Sequence, residues 1–156
     1  METLSARKPS APYLFLTHWL PLLLFMGLIY YMSDQDRTAS TAQSGWIVDV
    51  FAWFGIDPSS QLADILHETF RKLAHLTEYG ILFILAFRVS RWYVDAPKSF
   101  WIAFAFCVLY AASDEFHQSF VVGRKGAVYD VFIDSAGAGI GWFLVRFWLR
   151  KGRKLL

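Results

Sequence analysis

Hydrophobic residues form four long stretches in this chain, and polar segments separate them. The first stretch, Tyr13 to Met32, has 20 residues and no acidic or basic side chain except His18. A helix needs about 20 apolar residues to cross the hydrocarbon core of a bilayer. The pattern therefore predicts a transmembrane helix here. Pro21 within it is tolerable, because neighbouring helices can satisfy a freed carbonyl.

A cleavable signal peptide is the alternative interpretation of this first stretch, since Arg7 and Lys8 precede it. The apolar run is longer than the usual signal-peptide core of about 7–15 residues. Further stretches of membrane length also follow it. We therefore expect a retained membrane helix.

The other three stretches are less regular, because two contain charged residues and one is short. They cover Leu73–Val89, Ser99–Ser113 and Ala127–Trp148. Polar side chains lie at the start of the second helix, the end of the third and the start of the fourth. Alternating crossings place all three polar ends on one side of the membrane. The chain is thus predicted to be an all-α membrane protein of one domain (1–156), with four transmembrane helices at about residues 13–32, 71–90, 99–116 and 128–148.

The basic residues predict the orientation, because Lys and Arg accumulate in cytoplasmic loops. With the N-terminus inside, ten of the 15 basic residues are cytoplasmic, whereas the first outer loop is acidic. The ten are Arg7, Lys8, Arg88, Arg91, Lys98, Arg146, Arg150, Lys151, Arg153 and Lys154. We expect a protein of the cytoplasmic (inner) membrane, with both termini cytoplasmic and the three polar ends facing the periplasm or the outside.

The first outer loop holds a second apolar segment, GWIVDVFAWFG (Gly45–Gly55). Its aromatic and aliphatic residues suit a short helix that lies in the membrane interface. Asp57 as N-cap and Pro58 at the first helical position then predict the start of a helix that continues into the second transmembrane helix.

Composition supports the membrane assignment. The chain is 56% hydrophobic and 18% charged, whereas a soluble domain has about 25% charged residues. A net charge of +2 without a basic stripe excludes a nucleic-acid-binding protein. The single cysteine, Cys107, lies in an apolar run and is expected to be a small core residue.

The polar ends concentrate ionisable side chains at helical spacing. Positions three or four apart share one face of a helix. The groups are Arg71, His75 and Glu78 on the second helix, Asp114, His117 and Gln118 on the third, and Asp130 and Asp134 on the fourth, with Lys72 and Glu115 adjoining them. Each ionisable residue in a membrane helix costs about 2.5–3.5 kcal/mol even on the lenient insertion scale. These residues should therefore face the bundle interior and find partners.

Gly137 and Gly141 continue the stripe of Asp130 and Asp134 along the fourth helix. Small residues at this spacing let another helix approach closely. We expect them to seat the fourth helix against its neighbours, with the two aspartates at the mouth of the contact.

From the residues alone, three interpretations of these charges stay open. In the first, Arg71, Lys72, Arg124 and Lys125 neutralise the acidic residues and hold three helix ends together. In the second, the same basic residues bind an anionic lipid headgroup, and the histidines and carboxylates supply acid–base chemistry. In the third, carboxylates and histidines bind a divalent metal, although no compact motif such as HExxH is present. A proton path is disfavoured, because the charges stop at one membrane face.

Three sequence blocks resemble the VanZ-like family of bacterial membrane proteins. They are RKLAHLTEYGIL (71–82), YAASDEFHQSFVVGRKG (110–126) and DVFIDSAGAGIG (130–141). The resemblance covers residues 32–148, although the family often has Pro-Gly-Arg where this chain has Val122-Gly123-Arg124. The positions that match the family pattern are Arg71, Lys72, His75, Glu78, Tyr79, Asp114, Glu115, His117, Gln118, Arg124, Asp130, Asp134 and Gly137.

The resemblance implies a small four-helix membrane protein, and the family's namesake lowers sensitivity to teicoplanin. We therefore expect an outward-facing polar pocket that binds or acts on an anionic envelope lipid or a lipid-linked wall precursor. A non-catalytic accessory membrane protein is the alternative. Membrane lipids are the expected partners, and no metal or cofactor is assigned.

Under this hypothesis the polar residues divide into two roles. The residues expected to bind the anionic group are Arg71, Lys72, Gln118 and Arg124. The candidates for acid–base chemistry are His75, Glu78, Asp114, Glu115, His117, Asp130 and Asp134. Asp130 and Asp134 are also expected to orient the basic residues.

Overall fold

Four long helices make up most of the chain that the computed structural model describes, which is residues 10–34, 50, 52–57, 60–121 and 128–152. They are α1 (Ala11–Ser33), α2 (Gln61–Ser90), α3 (Ala96–Gln118) and α4 (Val128–Arg150). Each is long and apolar enough to cross a membrane. The chain is therefore an all-helical, multi-pass membrane protein, as its hydrophobic pattern predicts.

Helix α1 contains a wider, π-helical turn over Phe15–Trp19, where the Leu20 amide donates to the Phe15 carbonyl. Pro21 follows directly, and it has no amide hydrogen to donate to the carbonyl of Thr17. The widened turn lies where proline interrupts the regular hydrogen bonds. The Thr17 hydroxyl donates to the Tyr13 carbonyl at 2.7 Å, so the side chains stabilise this turn as well.

Helix α2 begins ten residues before its predicted membrane segment. Its N-cap is Ser60, whose hydroxyl accepts a hydrogen bond from the Ala63 amide at 3.2 Å. The prediction that Asp57 would be the N-cap is therefore wrong. At 30 residues, α2 is about 45 Å long, against about 30 Å for the hydrocarbon core. Its first turns therefore extend beyond the membrane core.

Parts of two predictions fall outside the described residues. The proposed interfacial helix at 45–55 lies mostly in such a segment, and so do Arg124 and Lys125. The interfacial helix stays a prediction.

Aromatic side chains fill the centre of the bundle. Phe83 and Phe87 of α2 are fully buried. They pack with Phe100 of α3 and Trp142 of α4, with ring centroids 4.6–6.3 Å apart. The outer surface is also apolar, since Leu109 and similar large side chains are exposed. This is the pattern of a bundle that packs internally and faces lipid.

Glycine brings α4 against α2. A Cβ atom built on Gly137 would lie 2.9 Å from the Leu76 Cα atom, and one on Gly141 would lie 2.6 Å from the Gly80 carbonyl oxygen. Neither distance is possible for a real side chain. The predicted role of these glycines in close helix packing is confirmed.

The helices alternate in direction, as the position of the polar residues predicts. At one end of the bundle, the start of α2 contacts the start of α4 through His75 and Asp134, and the end of α3 contacts the end of α1 through His117 and Asp34. We call this the polar end. At the opposite end, which we call the basic end, His18 of α1 packs on Trp92 after α2.

Candidate functional site

A small open pocket lies at the polar end, between α2 and α4. Its lining residues are Arg71, Lys72, His75, Asp130, Ile133 and Asp134. All of these except Ile133 are predicted site residues. The pocket combines two cationic side chains at its rim with a histidine and two carboxylates.

Asp134 is the innermost charged residue of the pocket. Its side chain is 0% exposed, and its Oδ1 atom lies 3.4 Å from Nδ1 of His75, which is 19% exposed. This distance is long for a hydrogen bond, so the contact is mainly electrostatic. Neither carboxylate oxygen of Asp134 has a hydrogen-bond partner among the described residues.

The local sequence explains why these two residues meet. Gly137 lies one turn after Asp134, and the residue it approaches, Leu76, follows His75. The close approach of the two backbones therefore places the carboxylate beside the imidazole. A buried carboxylate is costly unless it is paired, and His75 supplies the pairing that is seen here.

Arg71 and Lys72 pair within their own helix. The Arg71 guanidinium donates to Glu68 Oε1 at 2.6 Å, and the Lys72 ammonium lies 3.9 Å from the same oxygen. We expected Asp130 and Asp134 to orient the two basic residues, but the structure gives both residues Glu68 as their ion-pair partner. Glu68 is not among the predicted site residues, although it lies three residues before Arg71 and four before Lys72, a spacing that is a signal for such pairs.

Both basic side chains keep donor capacity for a ligand. The Arg71 side chain is 32% exposed and that of Lys72 is 40% exposed. The Nε atom of Arg71 is buried and has no hydrogen-bond partner among the described residues. A guanidinium has five N–H donors, so one bond to Glu68 leaves several for an anion.

The end of α3 contributes buried polar residues behind the pocket. Gln118 donates to Asp114 Oδ2 at 3.0 Å, and both side chains are buried, as is Glu115. Gln118, predicted to bind the anionic group, is thus engaged by Asp114. Asp114 lies close enough to His75 and Asp134 to interact with both electrostatically. Glu78 is within the same reach of His75.

His117 contacts α1 and does not line the pocket. Its Nε2 atom lies 3.6 Å from Asp34 Oδ1, and its ring centroid is 4.6 Å from that of Tyr30. Neither Asp34 nor Tyr30 is among the predicted site residues. Periodicity shows which face His117 lies on, but it does not show which helix that face meets.

Tyr79 lies among these carboxylates. It is 0% exposed, its hydroxyl has no hydrogen-bond partner among the described residues, and it is within electrostatic reach of Asp114 and Asp134. The only sequence signal for Tyr79 was that its position matches the family pattern. A buried hydroxyl beside two acids is available as a donor.

The described ranges of the chain leave out residues 122–127, among others. Within those ranges, no group of three or more His, Cys, Asp or Glu side chains is placed to hold a metal ion. Arg124, the remaining predicted ligand for the anionic group, lies outside the described residues.

Comparison with known families gives one match, in which the VanZ/LLP1 family model covers residues 18–149. That range includes every predicted site residue. No curated protein and no solved structure matches the chain.

Proposed function

Since this chain belongs to the VanZ/LLP1 family and has four helices able to cross a membrane, we propose that it binds the anionic group of an envelope lipid at its polar end. The observation that carries the proposal is the pocket itself. Arg71 and Lys72 stand at its rim, above the buried pair of His75 and Asp134. Bases outside and a buried acid–histidine pair inside suit a ligand with an anionic head.

The depth of the rim supports a headgroup ligand. Arg71 lies about 29 Å from Ser90 along α2, at a rise of about 1.5 Å per residue. That length equals the thickness of the hydrocarbon core, about 30 Å. If Ser90 lies at one interface, Arg71 lies at the other, where lipid phosphates are found. Arginine binds phosphate through two parallel N–H bonds, and lysine adds a point charge.

The roles follow from these positions. Arg71 and Lys72 hold the anion, while His75, oriented by Asp134, exchanges protons with the ligand. Arg124, which lies outside the described residues, is proposed from the sequence alone as a further ligand for the anion. A histidine with a carboxylate partner is a common general acid–base arrangement. Glu78, Asp114 and Asp130 set the charge around this pair.

The proposed location is the bacterial cytoplasmic membrane, with the polar end outside. The basic end carries Arg88, Arg91, Lys98, Arg146 and Arg150, and the positive-inside rule assigns it to the cytoplasm. An outward-facing pocket would meet lipid-linked wall precursors and lipophilic glycopeptides such as teicoplanin. We therefore also propose a contribution to glycopeptide resistance.

Binding of phosphatidylglycerol tests the proposal. The purified protein in neutral detergent is titrated with this lipid, and bound lipid is counted by native mass spectrometry. We expect the double variant Arg71→Gln/Lys72→Gln to bind at least about tenfold more weakly, because charged hydrogen bonds are lost. The matched control, Lys98→Gln/Arg150→Gln, removes the same charge at the basic end and should bind like the wild type. Equal binding by both double variants contradicts the proposal.

A structural clamp is the second candidate, and two contacts favour it. The pairs His75–Asp134 and His117–Asp34 each join two helices. Against it, the ion pairs of Arg71 and Lys72 lie within α2, and the contact that the structure gives Lys72 with α4 is with the Tyr129 ring, 5.4 Å from its centroid, and not with a carboxylate. Asp134→Asn separates the two functions. A ligand site predicts normal expression with loss of lipid binding and of teicoplanin resistance, whereas a clamp predicts loss of expression.

A further inference from the structure

Three buried nitrogen atoms near the basic end have no hydrogen-bond partner in the described part of the chain. They are Nε2 of His18, Nε of Arg88 and Nε1 of Trp92. They lie far from the polar pocket, because Arg88 is about 20 Å beyond His75 along α2. None of them has a role in the function proposed above.

The three side chains converge on one place. The rings of His18 and Trp92 meet edge to face, with centroids 5.3 Å apart. Arg88 is close enough to His18 to interact with it electrostatically. Arg88 lies in the last turn of α2, and Trp92 lies in the turn that follows the helix. His18 itself is only 6% exposed.

Neighbouring residues of the same types do have partners. Arg91 donates to the Val94 carbonyl at 2.7 Å, and the Trp19 indole donates to the Tyr93 hydroxyl at 3.1 Å. The acid in this turn, Asp95, lies 3.7 Å from Lys98. Among the described residues at the basic end, the buried unpaired nitrogens are therefore those of His18, Arg88 and Trp92.

Two of these atoms can only donate hydrogen bonds, because Arg and Trp side chains carry donors and no acceptor. The Thr17 hydroxyl gives its one hydrogen to the Tyr13 carbonyl. His18 Nδ1, 2.6 Å from that hydroxyl, therefore donates to it, and Nε2 of the neutral imidazole is an acceptor. Unpaired donors in a membrane cost several kcal/mol each. A cluster of donors with a positive charge calls for an anionic acceptor.

We propose that Arg88 and Trp92, beside the His18 ring, form a second binding site, which takes the phosphate group of a phospholipid in the leaflet at the basic end. The depth fits this ligand, because Arg88 is two residues from the end of α2 at Ser90. Trp19 and Tyr93 flank the cluster, and such aromatic residues sit at the level of lipid headgroups. The site is independent of the polar pocket and of its proposed function.

Native mass spectrometry of the purified full-length protein tests this site. Three compounds are added separately: phosphatidylglycerol, a diacylglycerol with the same chains but no phosphate, and inorganic phosphate. We expect the wild type to retain one more phosphatidylglycerol than Arg88→Gln, and no more diacylglycerol. Arg88→Gln should bind that lipid at least about tenfold more weakly, because it loses charged hydrogen bonds.

Two further variants keep the test decisive. Trp92→Phe keeps an aromatic side chain and removes the indole N–H donor, so it should weaken binding severalfold while the protein stays folded. Arg150→Gln removes an exposed charge from the same end and should bind like the wild type. Arg88-dependent binding of inorganic phosphate instead of lipid would support the anion site with free phosphate as its ligand.

The proposals for the two sites can be tested independently of each other. The titration is repeated in the Arg71→Gln/Lys72→Gln background, where the lipid that depends on Arg88 should still be retained. Equal retention of both phosphate compounds by the wild type, Arg88→Gln and Trp92→Phe overturns the proposal.

Discussion

Asp134 and His75 form the most deeply buried charged pair described in the structure, and their contact joins α2 to α4. Removing one member of a buried pair leaves the other without compensation, which typically costs about 3–5 kcal/mol. Such a pair can hold the fold, serve a ligand or do both. The coupling free energy between the two residues measures how much the pair stabilises the fold.

A double-mutant cycle with His75→Gln and Asp134→Asn determines this coupling. We expect the double variant to be less destabilised than the sum of the single ones by about 1–3 kcal/mol, because the residues share one contact. Unfolding free energies in mixed micelles provide the measurement. The exposed pair Lys98–Asp95 is the control, with a coupling of no more than about 0.5 kcal/mol. A coupling no larger than this control would show that the buried contact contributes little.

Tyr79 and Tyr110 offer a matched comparison of buried hydroxyls. The Tyr110 hydroxyl donates to the Met26 carbonyl at 2.7 Å, whereas that of Tyr79 has no partner in the described chain. Tyr110→Phe should cost about 0.5–1.5 kcal/mol of unfolding free energy. Tyr79→Phe should be neutral or stabilising but should weaken phosphatidylglycerol binding. Destabilisation by Tyr79→Phe with unchanged binding would make its hydroxyl structural.

The sequence predicted most of the residues that line the pocket, but not their partners. The spacing of Arg71, His75 and Glu78 gave the shared helix face correctly. It did not show that Arg71 would bond to Glu68, or that His117 would meet Asp34. Partner choice depends on how each helix is rotated and on side-chain rotamers, and neither is encoded in periodicity.

Helix packing positions the site through glycine. Gly137 allows α4 to reach the Leu76 backbone, and this contact sets the register of Asp134 against His75. A methyl group there must push the helices apart. The placement of Asp134 beside His75 therefore depends on a helix contact one turn deeper in the bundle.

Gly137→Ala should destabilise the protein by about 1–3 kcal/mol, the usual cost of overpacking, and weaken phosphatidylglycerol binding. Gly139→Ala is the matched control, because a Cβ atom there meets nothing within 4 Å. That variant should be neutral or slightly more stable, since alanine favours helix. Thermal unfolding and lipid binding are measured for both. Similar stability of the two variants would contradict the proposed packing role.

Helix prediction succeeded where hydropathy carries the signal. The ends of α1, α3 and α4 lie within a few residues of prediction, because each is bounded by polar or charged residues. The start of α2 was missed, because its first turns are polar and extend beyond the membrane core. There the boundary depends on a single capping hydroxyl, that of Ser60.

The charge distribution over the bundle defines its two ends. The acidic residues and histidines of α2, α3 and α4 gather at the polar end with Arg71 and Lys72, while Arg88, Arg91 and Arg150 lie at the other end. This separation follows from the sequence alone, because alternating crossings sort the charges. Our proposals place the polar end outside the cell, where an envelope lipid can enter the pocket.

Thiol labelling of single-cysteine variants in intact cells tests this placement. The native thiol, Cys107, is buried and is replaced by alanine. Ser119→Cys reports on the polar end and Lys98→Cys on the basic end, and both positions are exposed. A membrane-impermeant maleimide should label Ser119→Cys in intact cells and Lys98→Cys only after permeabilisation. The opposite pattern would place the pocket in the cytoplasm and contradict its proposed role in binding lipids of the outer leaflet.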